Sequence, residues 1–366
     1  MSLKAGIVGL PNVGKSTLFN AITKQQALAA NYPFATIEPN VGVVTVPDKR
    51  LDFLNDMYKP KSLVPTAYEF IDIAGLVKGA STGEGLGNKF LSHIREVDAV
   101  VEVVRCFENG DITHVEGGVD PIRDIEIINT ELILADLEVV ENRIGRIGKK
   151  AQMTKDKQEL LEIGVLNKCK EALENNLPLR RVDFTEDELF VMRGFQFITS
   201  KPIIYVTNVS EEDIAVGRNE YTDRVSKYAE EEGAGVIVMC AKIEEELATL
   251  SNEDRELFMT DLGITNSGLD KLIFETYDLL GLATFFTAGT DECRAWTFKK
   301  GMKAPKCAGI IHTDFERGFI RAEVMSYDDL VQYGTELKVK EAGKVRLEGK
   351  EYQMQDGDIV YFRFNV

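Results

Sequence analysis

Gly9-Leu-Pro-Asn-Val-Gly14-Lys15-Ser16 constrains this chain more than any other segment. In the spacing GxxxxGK[ST], glycines let the backbone turn so that successive N–H groups converge on a phosphate. A helix starting after Gly14 adds its positive end. Lys15 then reaches the β- and γ-phosphates, and the Ser16 hydroxyl suits Mg²⁺. The context agrees, because residues 3–8 read as a short apolar strand, while Leu18, Phe19 and Ile22 recur at helical spacing. This strand–loop–helix unit predicts an α/β fold with a mostly parallel sheet.

Further strand-like runs at 41–46, 67–73, 97–105, 202–207 and 235–239 extend that sheet. A helical stretch interrupts them. Ile125, Ile128, Leu132, Ala135 and Val139 form one seam, and Ile133, Leu137, Val140, Ile144 and Ile147 a second. After a basic break, another amphipathic helix runs from about 155 to 174, which predicts a hairpin or short coiled coil. From about 282 the pattern changes again, with strand-like runs at 308–312, 319–324, 336–340 and 358–364 and a turn at Asp356-Gly357. We therefore expect a nucleotide domain at 1–125 and 200–281, an inserted helical coiled-coil domain at 126–199, and a β-rich domain at 282–366.

The parts of a nucleotide switch follow in order. Asp72 ends the run Ala67–Asp72, where a carboxylate holds the metal through water, and Gly75 can donate its N–H to a γ-phosphate. Thr36 lies between helix and strand, placed to close over Mg²⁺ as a third metal contact beside Ser16 and Asp72. The residue after Gly75 is Leu76, which cannot orient a water, and Leu10 in the phosphate loop is also apolar. Of the three histidines, His114 sits in a polar, Gly-flanked loop beyond the strand 98–107, on the side where parallel sheets bind ligands. We expect it, with Lys15, to be catalytic; His93 is expected to pack or cap, and His312 to be structural.

Charge limits the partners. A net charge of −17 opposes nonspecific coating of nucleic acid, so no DNA partner is expected. Two basic clusters, Arg143 to Lys157 and Lys299, Lys300, Lys303 and Lys306, are either solvated faces or docking sites for phosphate-rich RNA. Five scattered cysteines without CxxC spacing suit a reducing cytoplasm, and the longest apolar runs are far below a membrane span.

Several segments together resemble a known family. Gly9–Ser16, Tyr32–Gly42 and Asp72–Gly87 are similar to the Obg family of G proteins. The Arg105-Cys-Phe-Glu loop and His312-Thr-Asp-Phe-Glu-Arg-Gly-Phe-Ile-Arg-Ala322 narrow this to the YchF subfamily, the Obg-like ATPases. Guanine-specific members of the superfamily end the base-reading strand in Asn-Lys-x-Asp. Here Asn208 is followed by Val209 and Glu211, so the guanine clamp is gone, and the resemblance implies ATP over GTP. It also implies nucleotide contacts from Asn12, Val13, Gly14, Lys15, Ser16, Thr17 and Gly75. Asn12 is at a position that in related G proteins helps hold K⁺. The C-terminal part resembles a TGS domain, a β-grasp module common in proteins that work with RNA or ribosomes. That implies the ribosome or its RNA as partner, through this domain and the helical insertion. The alternatives are a GTPase translation factor of the same architecture and a nucleotide-stabilised scaffold with incidental hydrolysis.

Overall fold

Strands Ala99–Arg105 and Ile203–Asn208 are buried at every position, the mark of parallel strands covered on both faces. They are neighbouring interior strands of a six-stranded sheet. In chain order the strands of the protein are β1 (Lys4–Val8), β2 (Val41–Thr45), β3 (Ser62–Val64), β4 (Ala67–Asp72), β5 (Ala99–Arg105), β6 (Ile203–Asn208) and β7 (Gly235–Met239). Then come β8 (Leu282–Thr287), β9 (Glu292–Lys299), β10 (Phe319–Ser326), β11 (Arg346–Glu348) and β12 (Asp358–Phe364). The first sheet has the order β2-β4-β1-β5-β6-β7, and the pairs β1–β4, β1–β5, β5–β6 and β6–β7 are parallel. The computed structural model describes residues 4–28, 40–73, 86–110, 117–154 and 156–365.

The described residues pack as two units. One is built on the chain up to Leu28 and from Glu69 to Leu272; the other combines Val43–Tyr68 with Ile273–Val366. Within the first unit the helical interruption is a hairpin of Pro121–Thr154 and Lys157–Glu174. Asp156 caps the second helix by accepting from the N–H groups of Gln158 and Glu159. The two seams on the long helix are buried differently, although Val139 of the first packs against the same cluster as the second. Ile133, Val140 and Ile147 are buried in one cluster with Val165, Leu166 and Cys169 of the facing helix. Ile125, Ile128, Leu132 and Ala135 are equally buried but stand outside that cluster. Asp136, from the same helix, is fully buried and accepts from the N–H groups of Ile198 and Thr199 and from the Thr199 hydroxyl.

Glu102, on β5, is also buried, and neither of its oxygens accepts a hydrogen bond among the described residues. Burial holds its carboxyl proton well above the usual carboxylate range; Arg180 opposes this, while Glu232 and Asp124 add to it. The folded chain thus keeps a proton that the unfolded chain has lost. Stability therefore declines as pH rises from the ordinary carboxylate range towards the raised folded value. Glu102→Gln should remove that decline, so its melting-temperature advantage over the wild type should widen between about pH 5 and pH 8. Parallel pH profiles for the two proteins would contradict it.

The second unit has its own six-stranded sheet, ordered β11-β10-β12-β8-β9-β3. Phe285, Phe298, Val324, Val360 and Phe362 build a core on one face; Phe286, Ala295 and Ile359 meet Leu51, Leu54, Leu330 and Val339 on the other. Two runs expected as strands are helices. Residues 308–312 fall on Ala304–Ile311 and its cap, where Pro305 at the helix start pre-sets the first turn. Residues 336–340 lie in Glu336–Glu341, capped by Thr335, whose Oγ1 accepts from the Lys338 N–H. Gly357 takes φ 84° in the expected turn. Among the described residues no helix is long and apolar enough to cross a membrane.

Candidate nucleotide site

The phosphate loop leaves β1 at Val8 and enters the helix Lys15–Leu28. Gly9 has no room for a side chain, because a Cβ there would lie 2.8 Å from the Val103 carbonyl. Asn12 at φ 65° and Gly14 at φ 98° turn the backbone, and the helix closes with Leu18 N–H on the Gly14 carbonyl at 3.0 Å. Val13 is buried, Ser16 is exposed and Thr17 is half-buried; Leu10 is buried in the core. The first-turn N–H groups of a helix have no intrahelical acceptor, the general reason such a loop suits an anion.

Lys15 and Asp72 meet directly as an ion pair, both largely shielded from solvent. The end of β4 is fastened on two sides, by Asp72 N–H to the Asn40 carbonyl at 2.9 Å and Ile73 N–H to the Ile7 carbonyl at 3.1 Å. The cation expected to reach the phosphates and the carboxylate expected to hold a metal therefore stand side by side. Thr36, Gly75, Leu76 and His114 lie outside the described residues.

On the base side, Asn208 ends β6 with both ends of its side-chain amide committed. Its Nδ2 donates to the Val13 carbonyl at 2.9 Å, and its Oδ1 accepts from the Ala241 N–H at 2.9 Å. Gly14 lies so close that a Cβ there would be 2.2 Å from Nδ2. Asn208 is thus a strut between the phosphate loop and the loop after β7, and it is only 5% exposed. Val209 turns its side chain into the core and gives its N–H to the Met239 carbonyl. Glu211 opens the short helix Glu211–Ile214, capped by Ser210, and its carboxylate accepts from Lys242 Nζ at 2.5 Å. These two side chains remain 54% and 66% exposed, and the bond to Glu211 raises the Lys242 pKa. Nothing in the chain order pairs Lys242 with Glu211.

Other expectations resolve simply. Lys300, Lys303 and Lys306 each pair with a carboxylate, Asp278, Glu351 and Glu316 respectively, so that cluster is largely neutralised in place. Arg143 pairs with Glu162 at 2.6 Å. His312 caps the helix Thr313–Arg317, its Nδ1 accepting from the Asp314 N–H, whereas His93 is exposed on its helix and does not pack. All five cysteines are buried, and burial pushes the Cys106 thiol up, away from reactive thiolate.

Comparison with known proteins follows the same outline. Residues 4–143 match the family model described as 50S ribosome-binding GTPase. Residues 282–365 match the YchF-GTPase C-terminal model, described as a protein of unknown function. A protein of Bacillus subtilis (strain 168) named ribosome-binding ATPase YchF is 62% identical over 367 residues, covering 100% of both chains. Its namesake from Escherichia coli O157:H7 is 53% identical, again over 100% of both. The solved structure of the Schizosaccharomyces pombe YchF GTPase superposes with a TM-score of 0.91 at 44% identity, covering 99% of this chain and 98% of that one. With a P-loop held to an Asn-Val-x-Glu base strand and likeness over its full length, the chain belongs to the YchF family.

Proposed function

We propose that this chain is an ATP-binding, ATP-hydrolysing switch that associates with the ribosome in the cytoplasm. The base side of the site carries the nucleotide preference. A guanine reader needs a Lys stem to stack and an Asp to accept from two N–H groups. Here Val209 is buried in the core, and the acid is Glu211, already bonded to Lys242. The names of the bacterial relatives agree on ATP and on the ribosome. The nucleotide portion at 1–125 and 200–281 then drives two appendages, 126–199 and 282–366, that meet the ribosome.

The donor set fits Mg²⁺. The Ser16 hydroxyl and the Asp72 carboxylate are hard oxygen ligands beside the phosphate loop, and Thr36 is the third oxygen we assign to the ion. Bound there, Mg²⁺ would neutralise charge on the phosphate oxygens. Lys15 orients the β- and γ-phosphates, Gly75 senses the γ-phosphate, and Asn12 is the residue that would help hold K⁺. With Leu76 in place of a water-orienting Gln, His114 is the group assigned to the attacking water. His114→Ala is expected to lower turnover by roughly 10²-fold with ATP affinity little changed. Wild-type turnover in that variant would remove His114 from the mechanism.

The deciding measurement is a competition titration of ATP against GTP with Mg²⁺ present. A clear ATP preference is expected. A clear GTP preference would overturn the base-site reading and leave a GTPase of the same architecture.

A further inference from the structure

Glu211 stands on a helix that has no apolar anchor. The four residues Glu211–Ile214 include no buried side chain, and the connection 215–218 that follows is exposed at every position. A single helical turn is not stable by itself, so polar bonds must set where it lies. The ion pair of Glu211 with Lys242 is exposed on both sides and fixes the turn weakly. Two other side chains do more. Ser210 caps the turn, its Oγ accepting from the Asp213 N–H at 3.2 Å and donating to Asp213 Oδ2 at 2.9 Å. Asn219 reaches back past the exposed connection, its Nδ2 donating to the same Asp213 Oδ2 at 2.9 Å and to the Cys106 carbonyl at 2.8 Å. Its Oδ1 meanwhile caps the helix Glu220–Glu232 by accepting from the Thr222 N–H at 2.9 Å. Cys106 follows β5 directly and gives its own N–H to the Asn208 carbonyl at 2.8 Å. One amide therefore ties the ends of β5 and β6 to the turn carrying Glu211 and to the helix behind it.

We propose that Asn219 is a positioning residue for base selection: by holding Asp213 against the end of β5, it fixes where Val209 to Glu211 meet the purine edge. The inference deepens the base-side reading above and rests on it. A polar site rejects the wrong base because a mismatched edge leaves its groups unpaired, and that penalty falls only on groups that cannot turn away. A turn with no buried side chain is free to turn away unless Asn219 ties it down. The nucleotide pair gives a clean readout of this. ATP and GTP carry the same ribose and triphosphate, so a general loss of order weakens both alike. Only a change on the base side alters their ratio.

The test is the ATP-to-GTP affinity ratio of the full chain, from competition titrations with Mg²⁺ present, in the wild type and in Asn219→Asp and Asn219→Ser. Aspartate and serine both keep an oxygen that can cap the helix starting at Glu220, so the cap survives in each variant. Aspartate, however, has no hydrogen to donate and sets a second carboxylate beside Asp213, and serine has one hydrogen where the amide has two. Asn219→Asp should lower the preference for ATP by roughly 10-fold or more, and Asn219→Ser by about 3-fold. A wild-type ratio in either variant, or loss of both affinities by one common factor, would overturn the role of Asn219 and leave the base-side reading standing. A wild-type chain that favours GTP, with that preference lost in Asn219→Asp, would sink the base-side reading and keep Asn219 as the residue that positions the base segment. A wild-type chain with no preference would sink both.

Discussion

Asn208→Ala is expected to weaken ATP binding by roughly 10²-fold and to destabilise the nucleotide unit by about 2 kcal/mol or more. The wild-type side chain joins two loops that sequence places far apart, accepting from Ala241 and donating to Val13, both at 2.9 Å. Truncation orphans a buried carbonyl and a buried N–H, each costing about 1–3 kcal/mol. The affinity loss follows because both orphans belong to loops that must be held in place before the nucleotide arrives, and ordering them then opposes binding. Gly14→Ala should produce the same defect from the other side. Its Cβ would sit 2.2 Å from the Asn208 amide nitrogen, at a backbone φ of 98° that alanine adopts only with strain. Titration of a fluorescent ATP analogue, alongside thermal melts, checks both variants. Affinity within twofold of the wild type in Asn208→Ala would mean that the strut is dispensable.

The second large effect is expected at Arg180. Its Nη2 donates to Glu232 at 3.1 and 3.3 Å and to Asn129 Oδ1 at 3.0 Å, and Tyr205 donates to the same Glu232 carboxylate at 2.7 Å. Side-chain exposure is 9% for Arg180 and 1% for Glu232, so neither charge has water to fall back on. Arg180→Met leaves Glu232 buried and uncompensated, and should cost about 3–5 kcal/mol in chemical denaturation. Changing both partners, Arg180→Met with Glu232→Leu, should recover most of that loss, because a buried pair owes much of its apparent strength to the penalty of breaking it. A single variant within about 1 kcal/mol of the wild type would show that the cluster relaxes or takes in water. Asn129 comes from the long inserted helix and Tyr205 from β6 of the nucleotide sheet. The same measurement therefore tests how firmly the helical hairpin is fixed to that sheet.

The contrast between readable and unreadable features is sharpest in the C-terminal unit. Ala308-Gly-Ile-Ile and Glu336-Leu-Lys-Val-Lys are too short for periodicity to separate strand from helix, and both proved helical. Their caps, Pro305 and Thr335, were the available signal. The recruitment of 43–68 into this unit had no local sign at all. β3 runs parallel to β9 across more than 200 residues of intervening chain, and the apolar residues Leu51 and Leu54 do not announce which core they enter. Charge left the choice open in the same way, since nothing in the chain order shows that Lys300, Lys303 and Lys306 pair with Asp278, Glu351 and Glu316.

The sequence by itself determined the phosphate loop, the mostly parallel strands of the nucleotide sheet, the helical hairpin and the loss of the guanine clamp. Each is written in residues close together along the chain, where backbone geometry and side-chain period act locally. Only the tertiary structure decided that Asn208 braces two loops, that Lys242 holds Glu211, that Arg180 and Glu232 form a buried pair, and that Asn219 ties Asp213 to the end of β5. Those arrangements join positions whose separation in sequence carries no information about their distance in space. Burial and hydrogen bonding, which fix their energies, exist only once the chain has folded.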